Sequence, residues 1–317
     1  MKQGFLWVSA AADLMLYRSL QPPTAQSALL VLPAAVLLLC LWCTLLHRCG
    51  IQAGRNKLYP AMLWGYLLVS CLQLQTLVEK IWEGRVGQLL LPAAVFLWAM
   101  LLPAGTMHSL KASAGVLLAG ALMMGAVFIA AAAPNMRIEY LITQSGQEYR
   151  QSILWAAGTF LLPLPEYVML TDPALELKEK RIWAFPAALC MAQAGLRLAV
   201  ELVFGKTAGS LSLAGYEAAR VGVLFALKRA ETLQVVFWLC LMIWRLRFVS
   251  CLLQQRTREK APALMPPCAV GILPLYAAAA ALPELRIWIY GAFYAITALA
   301  AIVALAGGRR SWDAKNR

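Results

Sequence analysis

The chain has 317 residues, of which 62% are hydrophobic and 14% are charged. Soluble domains carry about 25% charged residues, so this composition excludes an ordinary soluble protein and indicates a membrane protein. The formal net charge of +13 does not indicate nucleic-acid binding, because the basic residues fall mainly between apolar stretches and leave no basic patch interleaved with aromatic residues.

Ten apolar stretches of roughly spanning length predict ten membrane helices. In chain order they are Gly4–Leu20, Ala28–Leu46, Leu58–Val78, Gln88–Met107, Ala112–Ala133, Ser152–Thr171, Ile182–Phe204, Thr232–Leu253, Pro262–Leu282 and Leu285–Ala306. No soluble domain separates them. Residues 1–317 are therefore expected to form one all-α membrane domain.

Basic residues are more frequent in the loops that follow even-numbered stretches, such as 48–57, 178–181 and 256–260. Cytoplasmic loops of membrane proteins carry an excess of lysine and arginine. The distribution therefore predicts a protein of the cytoplasmic membrane with both its N-terminus and its C-terminus in the cytoplasm.

Ten helices divide into two halves of five, at about residues 4–133 and 152–306. An odd number of helices per half makes the second half enter the bilayer with the opposite polarity. Transporters built from such inverted repeats bind their substrates near the bilayer midplane, at discontinuous helices. Because the first helix of each half carries one acid, Asp13 and Glu166, we expect helices one and six to be the discontinuous pair.

The sixth stretch carries two prolines, Pro163 and Pro165, directly before Glu166. Proline removes a backbone hydrogen bond that lipid does not replace, and a carboxylate in hydrocarbon is costly unless it faces a cavity. The pattern predicts a broken helix beside a polar site. Glu166 is the strongest candidate for binding or proton transfer, and a neutral, packed carboxyl group is the alternative.

Other polar groups carry weaker signals. Asp13 has Arg18 within reach, so a binding role and a structural role both stay open. Arg245 and Arg247 lie near the expected cytoplasmic end of the eighth stretch, where long basic side chains snorkel to the interface. The segment Leu211–Leu227 is interrupted by polar residues and predicts a short helix over the outer face.

Enzyme and metal chemistry find little support in the sequence. The motifs of serine hydrolases, zinc proteases and P-loop enzymes do not occur. Cys40, Cys43 and His47 share one helical face, which would permit a metal site, but cysteine in an apolar helix packs as a small hydrophobic residue. We expect no catalytic residue, metal or cofactor.

Three short motifs carry a family resemblance: Pro163-Leu164-Pro165-Glu166, Tyr216-Glu217-Ala218-Ala219-Arg220, and Arg229-Ala230-Glu231 followed by Trp238. Together they resemble the permease-like B subunit of spore germinant receptors. That family also takes in arginine–ornithine and proline permease-like proteins. The likeness is best over Ser152–Leu253, and the ten-helix layout extends it over the chain.

The resemblance implies an amino acid–polyamine–organocation-type fold, a small nutrient such as an amino acid as ligand, and the inner membrane of the spore as location. It implies two partners, a larger membrane-associated A subunit and a lipoprotein C subunit. It places the family's broken sixth helix, Gly158–Glu166, beside the ligand, and with it Gly158, Leu161, Pro163, Leu164, Pro165 and Glu166. Asp13 joins these candidate ligand-binding residues as the acid of the first helix. It also places Tyr216, Glu217 and Arg220 in an outer lid.

The expected function is thus a receptor subunit that binds a nutrient in the membrane and signals germination. The alternative from another class is a free-standing, proton-coupled transporter of amino acids or polyamines, in which Glu166 carries the proton. A scaffold that has lost ligand binding is a third reading.

Overall fold

The computed structural model describes residues 4–15, 25–48, 58–81, 85–101, 107–141, 147–169, 182–211, 214–221, 230–258 and 265–315. Within these ranges the regular structure is entirely helical. The α-helices in chain order are α1 (Gly4–Met15), α2 (Ala25–Arg48), α3 (Leu58–Ile81), α4 (Arg85–Leu101), α5 (Met107–Ala132), α6 (Gln147–Phe160), α7 (Leu164–Met169), α8 (Ala184–Phe204), α9 (Ala214–Val221), α10 (Ala230–Arg258), α11 (Met265–Ala281) and α12 (Pro283–Lys315).

The described parts of the ten apolar stretches are helical, apart from the turn in the sixth and a few terminal residues. Six segments in the described ranges are long and apolar enough to cross a membrane, namely Ala25–Leu46, Leu58–Glu79, Ala112–Asn135, Ala184–Phe204, Thr232–Gln255 and Glu284–Val303. Three shorter apolar helical segments are Phe5–Leu14, Gly87–Met100 and Gly271–Ala281. The chain is an integral membrane protein of helices.

The first stretch gives a regular helix, and the expected interruption is not found within Gly4–Met15. The three alanines before Asp13 explain this, because alanine has the highest helix propensity. Near the end of α1, the indole Nε1 of Trp238 donates a hydrogen bond of 2.8 Å to the carbonyl of Ala12. The last carbonyls of a helix have no partner within it, so this bond satisfies one of them inside the bundle. Residues 16–20, including Arg18, lie outside the described ranges.

The sixth stretch is broken where the prolines predict. Helix α6 ends at Phe160, a turn covers residues 161–163, and α7 begins at Leu164. Leu161 N and Leu162 N donate to carbonyls only three residues back, at 3.1 Å each, so the backbone tightens before the break. Pro163 and Pro165 contribute no N–H group, which explains why the regular hydrogen-bond ladder does not cross this point.

Helices α3 and α10 form the centre of the bundle and pack against each other. They are the most buried of the six long apolar segments, whereas α2, α5 and α12 lie at the perimeter. The perimeter helices keep large apolar side chains exposed, among them Leu37, Leu122 and Trp288. In a protein with this many spanning helices, those side chains face lipid.

Helix α1 is held against the centre by aromatic packing. The ring of Phe5 stacks on Phe248 and on Trp244, with centroids 5.1 and 5.8 Å apart. At the other end of α1, Ala12 accepts the hydrogen bond from Trp238. The start of α1 therefore contacts the later part of α10, and the end of α1 contacts its earlier part, so the two helices are antiparallel neighbours.

Close packing of α3 on α12 yields a first prediction. A Cβ atom added to Gly65 would lie 2.8 Å from Cδ2 of Phe293, whereas one added to Gly291 would meet no atom within 4 Å. Overpacking costs about 1–3 kcal/mol, and alanine in place of glycine stabilises a helix by about 1 kcal/mol. We therefore expect Gly65→Ala to lower the stability of the folded protein and Gly291→Ala to leave it equal or higher, as measured by denaturant unfolding in detergent micelles. A shift of the same sign and size for both would contradict this packing.

Candidate functional site

A network of buried and partly buried polar side chains joins four helices of the bundle. Its members are Ser9 and Asp13 of α1, Tyr66 and Gln73 of α3, Glu166 of α7, and Arg245 of α10. Hydrogen bonds divide these residues into two groups, one around Arg245 and one around Glu166.

The first group is centred on the guanidinium of Arg245. This group donates hydrogen bonds to Oδ1 of Asp13 and to Oε1 of Gln73, while Nε2 of Gln73 donates to the same Asp13 oxygen at 3.1 Å. The Arg245 side chain is fully buried, and the Asp13 side chain is 17% exposed. Each charge therefore has an opposite charge and a neutral hydrogen-bonding partner, an arrangement that offsets much of the cost of burying an ion.

The second group surrounds the carboxyl of Glu166, which is also fully buried. The hydroxyl of Tyr66 donates to Oε1 of Glu166, and Oγ of Ser9 donates to the same oxygen at 3.0 Å. The hydroxyls of Ser9 and Tyr66 are 2.9 Å apart. The other carboxyl oxygen, Oε2, is buried and accepts no hydrogen bond from the residues that the structure describes.

Tyr66 links the two groups. Cζ of Arg245 lies 5.3 Å from the centroid of the Tyr66 ring, a distance at which a cation is attracted to an aromatic face. The ring stacks in parallel on Phe293 of α12, with centroids 5.7 Å apart. The phenol is thus held in place on one side by α12 while its hydroxyl reaches the carboxyl of α7.

Helix α12 also supports the break before α7. The hydroxyl of Tyr294 donates a hydrogen bond of 3.0 Å to the carbonyl of Leu162, which lies in the turn. Pro165 and Glu166, near the start of α7, are buried. A carbonyl in the turn between the two helices thus accepts a hydrogen bond from a neighbouring helix, which is how membrane proteins tolerate irregular backbone.

The residues expected beside a ligand fall into three places. Asp13 and Glu166 both belong to the network, and Ser9 connects them along α1. The residues around the turn that are buried in the protein are Pro163, Leu164 and Pro165. Gly158 and Leu161 lie on the outer side of the broken helix, where both are exposed.

The expected outer lid corresponds to α9. Its residue Ala218 is fully buried against Phe128 and Val200. Nη1 of Arg220 lies 3.6 Å from Oε2 of Glu217, so these two side chains form an ion pair. Asn135 donates from Nδ2 to the carbonyl of Val221 at 3.2 Å, which ties the end of α9 to the segment after α5. The side chain of Tyr216 lies outside what the structure describes, as do residues 212–213 and 222–229.

The expected snorkelling of Arg245 and Arg247 is wrong. Arg245 lies near the middle of the 29-residue helix α10, since this helix extends to Arg258 rather than ending near Leu253. Arg247 is buried as well, and its Nη1 donates to the carbonyl of Ala99 at 2.7 Å, close to the end of α4. Both guanidinium groups are buried and hydrogen-bonded inside the bundle rather than extended into an exposed interface.

Three network residues, Ser9, Tyr66 and Gln73, were not singled out from the sequence, and Arg245 was given an interfacial role instead of a place in the site. An arginine deep in a long apolar helix is a signal in itself, because intramembrane charges mark functional sites. Reading the eighth helix to its true end would have placed Arg245 at mid-helix. Ser9, Tyr66 and Gln73 carry no such signal, since serine, tyrosine and glutamine also occur in membrane helices as ordinary packing residues.

The network holds one cation and two acids in fixed positions, so it is suited to a small molecule with opposite charges. A carboxylate on such a molecule would find a guanidinium, and an ammonium group would find Asp13 or Glu166. Comparisons of this chain with protein-family models, with curated proteins and with solved structures find no match.

Proposed function

We propose that the chain is a permease-like membrane protein that binds a small zwitterionic nutrient, in the class of amino acids, at the junction of α1, α3, α7 and α10. The observation that carries this proposal is the buried pair between Asp13 and Arg245, placed beside the Glu166 carboxyl at the break of the sixth membrane stretch. The pair stands where the two charges of a zwitterion would be held.

Charge balance supports a zwitterion over a simple cation or anion. A zwitterion inserted between Asp13 and Arg245 replaces one internal ion pair by two pairs of the same kind, so no charge is left alone in the bundle. A cation would leave Arg245 without a carboxylate, and an anion would leave Asp13 without its guanidinium. Glu166, with one unbonded carboxyl oxygen, offers a further acceptor for an ammonium group.

The two members of the pair differ in exposure. The Asp13 side chain is 17% exposed, whereas Arg245 is fully buried. A ligand therefore meets Asp13 first and reaches the guanidinium only after the internal pair opens. Such a step gives the ligand different affinities for an open and a closed state, which a ligand needs in order to shift a conformational equilibrium.

Helix contacts support a five-plus-five inverted repeat as the fold. Helices α1 to α5 correspond to stretches one to five, α6 and α7 together to stretch six, α8 to stretch seven, and α10, α11 and α12 to stretches eight to ten. When each stretch is exchanged with the one five positions away, the contacts α2–α8, α3–α10 and α4–α11 map onto themselves. The contact α1–α5 maps onto α7–α12, α5–α10 onto α3–α12, and α1–α8 onto α2–α6. An amino acid–polyamine–organocation-type bundle has this two-fold relation, and its substrate site lies between the first helices of the two halves.

Resemblance to the germinant receptor B subunit makes nutrient sensing the preferred form of this function. In that form the chain lies in the inner membrane of the spore, with both termini in the cytoplasm, and a larger A subunit and a lipoprotein C subunit detect the change of state. The quoted motifs around Glu166, Tyr216 and Trp238 carry this part of the proposal.

Proton-coupled transport is the second candidate, and one observation favours it. The buried Oε2 of Glu166 has no hydrogen-bonding partner in the described part of the chain, so it offers a place for a proton that a transport cycle could load and release. Vesicles containing this chain alone distinguish the candidates. Uptake of an amino acid driven by a proton gradient, without partner subunits, would establish transport, and binding without uptake supports a sensor.

The experiment for the shared proposal is ligand binding to the purified chain. Each of the twenty standard amino acids is first tested for its ability to raise the unfolding temperature of the purified chain. The dissociation constant of the most stabilising one is then measured by titration. We expect binding, and we expect it to weaken by about tenfold to a hundredfold for analogues that lack either the amino group or the carboxylate, because each forms a charge-assisted hydrogen bond. Equal affinity for an analogue lacking either group would contradict the proposed site.

A further inference from the structure

A cavity of about 710 Å³ lies behind α1, on the side away from the polar network. Its walls come from α1, α5 and α8, with Gln234 of α10 on one side. On α1 the cavity is lined by Ala10 and Leu14, whereas Ser9 and Asp13 point into the network. One short helix thus separates the cavity from the candidate nutrient site.

Small residues create this space. Ala10 and Ala11 of α1, Gly125 of α5, and Ala192 and Gly195 of α8 line it, and a Cβ atom added to either glycine would meet no atom within 4 Å. Protein interiors hold few voids larger than a water molecule, whereas ligand pockets measure about 300–1,000 Å³. The cavity is therefore of the size of a binding site rather than a packing defect.

The mouth of the cavity faces the bilayer. Leu122 and Ile129 of α5 line it and are exposed on the perimeter, as is Ala192 of α8. Both helices belong to the segments that are long and apolar enough to span a membrane. What lies against this opening is consequently lipid, and an occupant enters sideways from the hydrocarbon.

The length of the cavity matches one leaflet. Its lining on α5 runs from Leu118 to Ile129, which at 1.5 Å per residue is about 17 Å. The hydrocarbon core of a bilayer is about 30 Å thick, so the cavity is as long as the apolar part of a single leaflet. A single hydrocarbon chain lying along α5 fits this shape.

One polar group in the wall selects among apolar molecules. Gln234 lines the cavity and is 8% exposed, and its Oε1, which is itself buried, accepts no hydrogen bond from the described residues. Rotation of the side-chain amide turns this acceptor toward the cavity. A buried acceptor without a donor is costly, so an occupant that brings an O–H or N–H group is favoured over a pure hydrocarbon.

We propose that this cavity binds a membrane amphiphile, made of a single hydrocarbon chain and a hydroxyl or amide N–H donor that bonds to Gln234, which enters from the bilayer between α5 and α8. The bound chain packs on Ala10 and Leu14 and so supports α1 from behind. This site is separate from the nutrient site, and its existence does not depend on the proposed function.

The test uses the full chain in lipid nanodiscs and a long-chain fatty alcohol that carries a photoreactive diazirine, with the methyl ether of the same alcohol as a second probe. After irradiation, the labelled peptides are identified by mass spectrometry. We expect labelling by the alcohol to concentrate on α5 and α8, to saturate, and to be displaced by unlabelled fatty alcohol. The ether, which lacks the donor, is expected to label the same helices about tenfold less strongly at equal concentration.

Three variants complete the test. Gly125→Leu fills the cavity and is expected to reduce labelling by about tenfold, and Gln234→Leu is expected to remove the preference for the alcohol over the ether. Gly115→Leu is the matched control, because Gly115 lies on the same helix, has equally open space around it, and lies outside the cavity lining. Should Gly125→Leu fail to fold, Gly195→Leu fills the cavity from α8 instead. Labelling spread evenly over the lipid-facing helices, or equal labelling of the Gly125→Leu and Gly115→Leu proteins, would overturn the proposal.

Discussion

Replacing Arg245 by methionine is expected to lower the free energy of unfolding by about 3 kcal/mol, because the substitution leaves the Asp13 carboxylate and the Gln73 amide without their shared partner. Breaking a buried ion pair costs about 3–5 kcal/mol, and the partial exposure of Asp13 places the expected loss at the lower end. The measurement is denaturant unfolding of the purified variant in mixed micelles.

A double variant distinguishes the stability lost by breaking the ion pair from the stability lost by removing side-chain volume. Asp13→Asn combined with Arg245→Gln replaces both charges by neutral amides that still hydrogen-bond, so we expect it to recover more than half of the lost stability. Arg220→Met in α9 is the control for the loss of an arginine. The side chain of Arg220 is 64% exposed beside Glu217, and exposed pairs contribute about 0–1 kcal/mol, so this variant should lose less than about 1 kcal/mol. Equal losses for the two single variants would argue against a charge pair at Asp13.

Replacing Glu166 by glutamine is expected to keep the fold and to weaken amino acid binding by about tenfold to a hundredfold. The amide oxygen of glutamine accepts the same bonds from Tyr66 and Ser9, and the amide nitrogen takes the place of Oε2, which has no partner among the described residues. The ammonium group of the ligand, however, loses a carboxylate. Titration of the variant and of the wild-type protein with the same amino acid gives the ratio of their dissociation constants.

The matched control for Glu166 is Glu79→Gln in α3. Glu79 pairs with Arg286 at 2.7 Å between Oε1 and Nη2, its side chain is 33% exposed, and it belongs neither to the polar network nor to the expected outer lid. We expect this variant to bind as the wild-type protein does. If the Glu166→Gln protein folds and binds with unchanged affinity, Glu166 does not contact the ligand, and its hydrogen bonds to α1 and α3 serve the fold only.

The sequence predicted those parts of the fold that depend on neighbouring residues. Pro163 and Pro165 act locally, since each removes a backbone donor within one helical turn, so the break between α6 and α7 could be placed to within a few residues. The six described segments that are long and apolar enough to cross a membrane coincide with predicted stretches to within a few residues at each end, because spanning length and hydropathy are properties of a continuous segment.

The candidate site depends on contacts that no local pattern contains. Asp13 and Arg245 are 232 positions apart, and Tyr66 and Glu166 are 100 positions apart. Asp13 was matched to the nearby Arg18 only because that residue was close in sequence. Arg245 was assigned to the membrane interface because long basic side chains near a helix end snorkel, whereas its partners are Asp13 and Gln73 of two other helices. Each error came from replacing a three-dimensional neighbour by a sequence neighbour.

The apolar cavity was beyond sequence reasoning for a different reason. Alanine and glycine at Ala10, Gly125 and Gly195 are ordinary residues for membrane helices, in which small side chains usually permit close helix packing. Here the same small side chains leave open space. Whether small residues bring helices together or leave a gap is decided by the distance between the helices, which is set by the larger residues elsewhere along them.

The opening of the Asp13–Arg245 pair by a zwitterion is tested most directly by an experimental structure of the chain with its amino acid bound. We predict that the ligand carboxylate lies on the Arg245 guanidinium, that its ammonium group lies within hydrogen-bonding distance of Asp13 or Glu166, and that the direct bond between Asp13 and Arg245 is lost. A bound amino acid elsewhere in the protein, with Asp13 and Arg245 still paired, would contradict the account.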